Sequence, residues 1–574
     1  MIVRIEVNNK IVRARKGETI MSALQSAGIK IPSICSMKDF TPTGACRMCV
    51  VEVEGHGGLV PSCSHPVNEW MKIKTHSPRV VKSRKTIVEL LLSNHPDDCL
   101  YCERNGNCEL QTLAEELNVR ERRIMGKKNM YKLDHSSPSI VRDPAKCILC
   151  GRCVRVCEER MAVFAIDFVN RGNRTVIGTA YDKDLNFSSC INCGQCIMVC
   201  PTGALHEKDG LQELEDALHN PEKTVVAQYD SSVSVSLAEE FGLRPGKDMG
   251  GIINAVLRKI GFDVIFDTSG AADIAALEMA AELTERKKGK ENVPVVTGNC
   301  PAWVKFAEQW YPDLLDNMSA CKSPQQILGT IIKTHYPEKN NIDPGAIFSV
   351  AVVSCTAKKF EAQREEMTRK GISDIDCVLT TRELAKLIRL YGIDIDQVET
   401  EVADEPYGMP SSAGKLFGAA GGMSEAVIRS LPHINGSKEL AGLKFQELRG
   451  IKGRKEAEIK IGKIVYRFAV VSGLANALPL VEEIRAGNSG YDFVEIMACA
   501  GGCINGGGQP IGAGDAAIRA RMKALYGIDE KETIRVPYKN PDVRSLYDDF
   551  LGEPGSDRCK SLLHTKYLER KVLL

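Results

Sequence analysis

One cysteine pattern occurs twice in this chain, and few folds accommodate it. Cys147, Cys150, Cys153 and Cys157 are spaced C-x2-C-x2-C-x3-C. Cys190, Cys193, Cys196 and Cys200 repeat the spacing 43 residues later, and Pro201 closes the second copy. The residues between them repeat as well, CILCGRCVRVC against CINCGQCIMVC. Two runs of this kind hold a pair of [4Fe-4S] clusters, the fourth cysteine of each run serving the other cluster. The expected sets are Cys147, Cys150, Cys153 and Cys200 for one cluster, and Cys190, Cys193, Cys196 and Cys157 for the other.

Fifteen of the 22 cysteines fall in the first 200 of 574 residues. The opening Met1-Ile2-Val3-Arg4-Ile5-Glu6 carries charge inside its apolar stretch, unlike an export signal. The expected compartment is the reducing cytoplasm, where clustered cysteines bind metal rather than each other. Seventy-five basic and 74 acidic residues leave a net charge of +1, which predicts no nucleic-acid or anionic-membrane partner. No apolar run is long enough for a membrane-spanning helix.

Two further cysteine groups precede the repeat. Strands at Ile2 to Val7 and Lys10 to Ala14, then a helix starting near Glu18, lead to Cys35, Cys46, Cys49 and Cys63. Four thiolates with one two-residue gap suit tetrahedral zinc or a [2Fe-2S] cluster. A helix from Ser83 to Ser93 then leads to His95, Cys99, Cys102 and Cys108, one imidazole with three thiolates. Replacing a thiolate by neutral imidazole makes such a site less negative and raises a cluster's potential. Serial clusters move electrons between a surface and a buried site, so the chemistry belongs downstream.

Beyond a helical stretch at Leu211 to Asn220, short β-branched runs alternate with helix patterns. They are Thr224 to Ala227, Val264 to Phe266, Val293 to Val296, Ile347 to Val353, Ile464 to Val471 and Phe493 to Met497. This alternation predicts an α/β domain with mixed or parallel sheets around a buried cluster. Three runs end in thiols: TGNCP with Cys300, SCTAKK with Cys355, and CAGGCINGGGQP with Cys499 and Cys503. Ligands of α/β sheets bind beyond the carboxyl ends of strands, and the glycines let backbone approach a bulky ligand. Lys358, three residues past Cys355, is placed to neutralise an anionic group. Cys321, Cys377 and Cys559 lack glycine loops or partner thiols and read as packing residues.

The segments TGNCPAW, SCTAKKFE and EIMACAGGCINGGGQP, behind four cluster sets in this order, resemble the large single-chain [FeFe]-hydrogenases over essentially the whole chain. The resemblance implies reversible formation of H2 from two protons and two electrons. It also implies the H-cluster, a [4Fe-4S] unit joined through one cysteine sulfur to a diiron centre with CO, cyanide and a bridging dithiolate. Cys300, Cys355, Cys499 and Cys503 would hold it, with Cys503 as the bridge. Lys358 and the residues near Ser232 would contact the cyanides, and Phe417 and Met497 would enclose the diiron site. Ferredoxin is the implied electron partner, alongside maturation proteins that install the cluster; no nicotinamide or flavin motif is present. The implied organisation is α+β ferredoxin-like domains before the catalytic domain. These are a [2Fe-2S] domain at 1–80, a His/Cys3 [4Fe-4S] domain at 81–125, a two-[4Fe-4S] domain at 126–209 and the H-cluster domain at 210–574. The cofactor total is one [2Fe-2S], three accessory [4Fe-4S] clusters and the H-cluster.

The chain departs from the family at the proton relay. The family places a cysteine at position 299, where this chain has Asn299, and an amide neither gains nor loses a proton near neutral pH. Glu282, Arg286 and Ser319 match the rest of the relay, but Met279 stands where a second glutamate is expected. Val353 and Ser354 replace the usual Met-Pro. Apart from the resemblance, Glu282 and Arg286 read as an i, i+4 surface ion pair. The expectation is a hydrogenase with slow or altered proton transfer, the alternative an H2 sensor with low turnover.

Overall fold

The computed structural model describes residues 1–289 and 293–572. The first strand, Ile2–Val7, alternates exposed and buried positions, as one face of a half-buried sheet must. Its buried face, Val3, Ile5 and Val7, packs with Val51, Val53 and Ile73 against Ile20, Ala23 and Leu24 of the helix Ile20–Ser26. Five strands make this sheet, in the order Lys10–Arg15, Ile2–Val7, Lys72–Lys74, Val50–Val53, Val60–Pro61. The helix expected at Ser83 to Ser93 is longer, Pro78–Asn94. Ser77 caps it by accepting from the Val80 amide, and Pro78 occupies its first turn.

The cysteine repeat folds as two short helices, Arg152–Arg155 and Gln195–Val199. Each is entered through a left-handed glycine, Gly151 (φ 74°) and Gly194 (φ 69°), a conformation that glycine adopts without steric cost. An antiparallel pair, Ile140–Arg142 with Leu205–Glu207, ties the ends of the unit together.

The remaining chain builds two four-stranded sheets. The first runs Val264–Asp267, Thr224–Tyr229, Ile347–Val353, Cys377–Thr380, parallel throughout. The second runs Val295–Val296, Phe493–Met497, Ile464–Ser472, Arg454–Ile461, with the last pair antiparallel. Between them lies the helix Ser269–Gly289, buried on every face from Ser269 to Ala280, as a helix inside a core must be. One apolar cluster joins Phe266 and Ile347 of the first sheet, Phe468 and Phe493 of the second, and Ala272, Ala276 and Leu283 of this helix.

Of the strands in these two sheets, the sequence reading missed Cys377–Thr380 and Arg454–Ile461. The strand expected over Val293 to Val296 shortens to Val295–Val296, since Pro294 has no amide hydrogen for a ladder. Cys377 and Cys559 pack as expected among apolar neighbours. No helix among the described residues is long and apolar enough to cross a membrane.

Candidate catalytic site and electron path

The cysteine sets converge in space. Cys35 lies against Cys46 and Cys63, and Cys49 against Cys63; these thiol contacts pull Cys35 below the usual range and push Cys63 above it. One cavity is walled by Cys147, Cys150, Cys153 and Cys200, and another by Cys157, Cys190, Cys193 and Cys196. These are the crossed sets that the spacing predicts. Backbone amides point at the sulfurs, from Leu149 to Cys147, Ala165 to Cys157 and Asn192 to Cys190, each at 3.4 Å. Such N–H···S bonds stabilise negative charge on a cluster and tune its potential. Among the described residues no three His, Cys, Asp or Glu close around a single metal ion; the thiols frame spaces rather than points.

His95 is poised as a ligand. Its Nδ1 lies 3.0 Å from the Pro96 carbonyl, while Nε2 is buried with no partner. A ring nitrogen donating to a carbonyl leaves the other as a lone-pair donor, the arrangement found at ligating imidazoles. Cys108 is buried, Cys102 half-buried and Cys99 exposed.

The sites form a continuous path. Cys35 and Cys108 share one apolar cluster with Cys150, so the first two cysteine groups both abut the first cavity. A Cβ on Gly203 would meet the Cys102 sulfur at 2.5 Å, so the loop after Cys200 lies on the His95 group. At the other end Gly194 faces Gly507: a Cβ on Gly507 would meet the Cys193 carbonyl at 2.2 Å and the Gly194 Cα at 2.7 Å. Gln195 bridges the same boundary, donating to the Asn505 carbonyl at 2.9 Å and to the Cys499 sulfur at 3.3 Å. Sequence reasoning missed Gln195, because only its partner across 304 residues reveals it.

Beyond that boundary the thiols of Cys300, Cys355, Cys499 and Cys503 face one another from three strand ends and the loop between Met497 and Gly508. Burial pushes Cys355 up to about 12 and raises the other three. Buried thiols of this kind stay protonated until a cation displaces the protons, so the donor set fits an iron cluster. Phe417 and Met497 belong to the core cluster against which Cys503 packs.

Lys358 is buried beside these thiols, its Nζ 3.3 Å from Ser323 Oγ and 3.4 Å from Glu361 Oε2. Burial alone would lower its pKa, but Glu361, Asp230 and the thiols of Cys503 and Cys355 hold it above the usual lysine range. Ser232 Oγ donates to Ser354 Oγ at 2.9 Å. Sequence reasoning also missed Asp230, which only its burial without a partner reveals.

On the far side, Glu282 Oε2 accepts from Ser319 Oγ at 2.5 Å and Oε1 from Arg286 Nη2 at 2.6 Å. The side chains of this pair are only 11% and 18% exposed, so it is not the surface bridge of the simplest reading. Ser319 is fully buried, and its amide donates to Val296. Asn299, three residues on from Val296, has a buried Oδ1 without a partner. Met279 is fully buried in the core. Glu278 beside it points elsewhere, accepting from Tyr547 Oη at 2.8 Å and lying 3.1 Å from His564 Nε2; successive helix residues diverge by ~100°.

Fold and thiols together define a class, an iron–sulfur oxidoreductase that feeds a buried four-cysteine site through a row of smaller ones. Comparison with known proteins narrows it. Residues 223–507 match the C-terminal domain of the iron-only hydrogenase large subunit, and residues 515–570 the iron hydrogenase small subunit. Residues 1–78 match a 2Fe-2S cluster binding domain, 84–123 the iron–sulfur binding region of NADH-ubiquinone oxidoreductase-G, and 146–204 a 4Fe-4S dicluster domain. The chain is 40% identical to the NADP-reducing hydrogenase subunit HndD of Solidesulfovibrio fructosivorans, over 100% of both chains. It is 38% identical to iron hydrogenase 1 of Clostridium pasteurianum, over 98% of this chain and 99% of that one. The solved [FeFe]-hydrogenase HydA1 of Chlamydomonas reinhardtii superposes with a TM-score of 0.57 at 35% identity, covering 62% of this chain and 98% of its own. The chain therefore belongs to the iron-only, or [FeFe], hydrogenases, oxidoreductases of H2 and protons.

Proposed function

We propose that this chain interconverts two protons and two electrons with H2 at an H-cluster held by Cys300, Cys355, Cys499 and Cys503, with a proton supply that departs from its relatives'. The cluster, when bound, supplies the iron at which electrons and protons combine. The protein does the rest. Lys358, beside Ser232, would donate toward the cyanides, and Phe417 and Met497 would keep bulk water from the diiron side. One [2Fe-2S] and three [4Fe-4S] clusters, held in units at 1–80, 81–125 and 126–209 ahead of the catalytic unit at 210–574, would supply electrons one at a time. The grouping of Cys35, Cys46, Cys49 and Cys63, the free His95 Nε2 and the two crossed cavities support these assignments.

The proposed carrier is ferredoxin, the proposed compartment the cytoplasm, and the cluster is installed by maturation proteins. The relative named as a subunit of an NADP-reducing hydrogenase supports a second reading of the partner, in which electrons reach NADP through another subunit. Reduction of ferredoxin but not NADP by the isolated chain under H2 fits both readings; direct reduction of NADP fits neither.

The observations that carry the altered proton supply are the buried, unpartnered Asn299 Oδ1 and the Ser319–Glu282 hydrogen bond, between which no bond is made. Losing a positioned proton carrier costs about 10²–10⁴-fold in rate. H2 evolution by the maturated protein with reduced ferredoxin, beside Asn299→Cys, tests it. The variant is expected to be at least about tenfold faster, part of that lost factor. A fast wild type that Asn299→Cys leaves unchanged refutes the broken relay. Near-zero turnover in both, with intact CO and cyanide infrared bands, favours H2 sensing.

A further inference from the structure

The residue after the strand Thr224–Tyr229 is a carboxyl with no structural partner. Asp230 is fully buried, and neither of its oxygens has a hydrogen-bond partner. The Ser354 amide lies beside it without reaching bonding geometry. Among the described residues no other buried Asp or Glu oxygen is left this way. Asp273, equally buried, accepts from the Ser411 amide and hydroxyl and from Asn540 Nδ2. Glu495 accepts from the Gly421 and Ser424 amides. Leaving a buried carboxyl unsatisfied is costly, so its retention calls for a use.

Its surroundings indicate one. The Asp230 amide donates to the Val352 carbonyl at 3.0 Å, which places the residue at the carboxyl ends of two adjacent parallel strands, just ahead of Ser354 and Cys355. Lys358 and Glu361 of the helix Ala357–Ala362, Asp267 at the end of the neighbouring strand and Cys503 of the glycine loop all interact with it electrostatically. Asp230 thus stands at the strand ends that lead to Ser232 and Cys355, within electrostatic reach of the lysine and of the cysteine expected as the bridge. Asn299, which enters from the other sheet, has no proton to give.

We propose that Asp230 is the acid that delivers protons to the diiron side of the catalytic site. The assignment rests on the hydrogenase reading above. In proton reduction the Asp230 carboxyl gives up its O–H proton and becomes a carboxylate. Two such transfers, with two electrons from the cluster chain, yield one H2. The carboxylate is reprotonated from solvent along the acids behind it: Asp267 is buried within electrostatic reach, and Asp248 beyond it is exposed. In H2 oxidation the same transfers run backwards, with Asp230 as the base.

The electrostatics suit the role. Burial pushes the Asp230 carboxyl up to about 6 against the pull of Lys358, and Asp267 pushes it the same way. A proton donor works best with a pKa near the operating pH. Lys358 stabilises the carboxylate that each transfer leaves behind.

Infrared difference spectroscopy and turnover on maturated wild type, Asp230→Asn and Asp230→Glu test the proposal. Wild type should show a carboxylic C=O band that shifts in D2O and is missing from Asp230→Asn. H2 evolution should fall about 10²–10⁴-fold in Asp230→Asn. Asp230→Glu should restore much of it. Adding Asn299→Cys to Asp230→Asn should recover part of the turnover, because the thiol restores one of the two missing positions of the Glu282–Ser319 route; a merely structural role for Asp230 predicts no such rescue. Wild-type turnover in Asp230→Asn, or no carboxylic band in wild type that Asp230→Asn removes, overturns the assignment. The band alone decides if Asp230→Asn fails to load its cluster. Absence of CO and cyanide bands from wild type overturns instead the hydrogenase reading beneath it.

Discussion

Ser319 Oγ and Arg286 Nη2 divide the two oxygens of Glu282 between them. A short polar string is therefore built, and Asn299, whose Oδ1 bonds nothing, does not join it. Residues that act in series are coupled, and coupling shows as non-additivity. On the proposed relay, Glu282→Gln in wild type removes a carrier from a string broken at both Asn299 and Met279. In Asn299→Cys it removes a carrier from a string with one fewer break. The loss of H2 evolution should reach about 10²–10⁴-fold in the cysteine background and be far smaller in wild type. Equal losses in both would mean that Glu282 works independently of position 299. Position 299 was legible in the sequence, because the TGNCP segment marks where the thiol should stand. Asp230 was not. Nothing in Tyr229-Asp230-Ser231 separates it from a surface acid, and only burial without a partner does so.

The same division holds for whole elements. The strand Ile347–Val353 is legible because parallel strands buried on both faces are continuously apolar. Arg454–Ile461 is not, because it lies at a sheet edge and alternates charges with its few buried positions, the composition by which edges resist pairing with other chains. The contact between Gly194 and Gly507 needed the structure altogether, since neither glycine loop names its partner. That contact makes a prediction. Alanine at Gly194 would hold φ at 69°, and its Cβ would meet Thr356 Oγ1 at 2.4 Å and the Gly507 Cα at 3.1 Å. Backbone cannot yield as a side chain tip does, so the Gln195–Val199 helix must shift away from the glycine loop. Overpacking of this kind costs about 1–3 kcal/mol. Gly194→Ala should lower the melting temperature and cut ferredoxin-driven H2 evolution severalfold. H2/D2O isotope exchange, which needs no outside electrons, should largely survive. Loss of both activities in equal measure would place the damage in the four-cysteine site rather than at the boundary.

At the scale of the molecule the row of sites is forked. Cys35 and Cys108 belong to different cysteine groups, yet both share one apolar cluster with Cys150. Arg152 fastens the same junction, with Nη1 2.6 Å from Glu109 and Nη2 donating to the Ser33 carbonyl at 3.4 Å. After this node the path is single, through the cavity walled by Cys147, Cys150, Cys153 and Cys200, then through that of Cys157, Cys190, Cys193 and Cys196. A fork and a trunk respond differently to injury. Fully loaded protein should contain about 20 iron atoms, the sum over one two-iron cluster, three four-iron clusters and a six-iron H-cluster. Removing residues 1–80 should take away about two of them and leave the His95 branch able to feed the trunk. Replacing Cys150 by serine should instead weaken or empty the node and silence both branches. Iron analysis and ferredoxin-driven turnover on these two variants separate the cases. If truncation alone abolishes electron delivery while isotope exchange persists, the first cysteine group is the sole entry and the path is a line. If Cys150→Ser leaves delivery intact, the trunk does not run through this cavity.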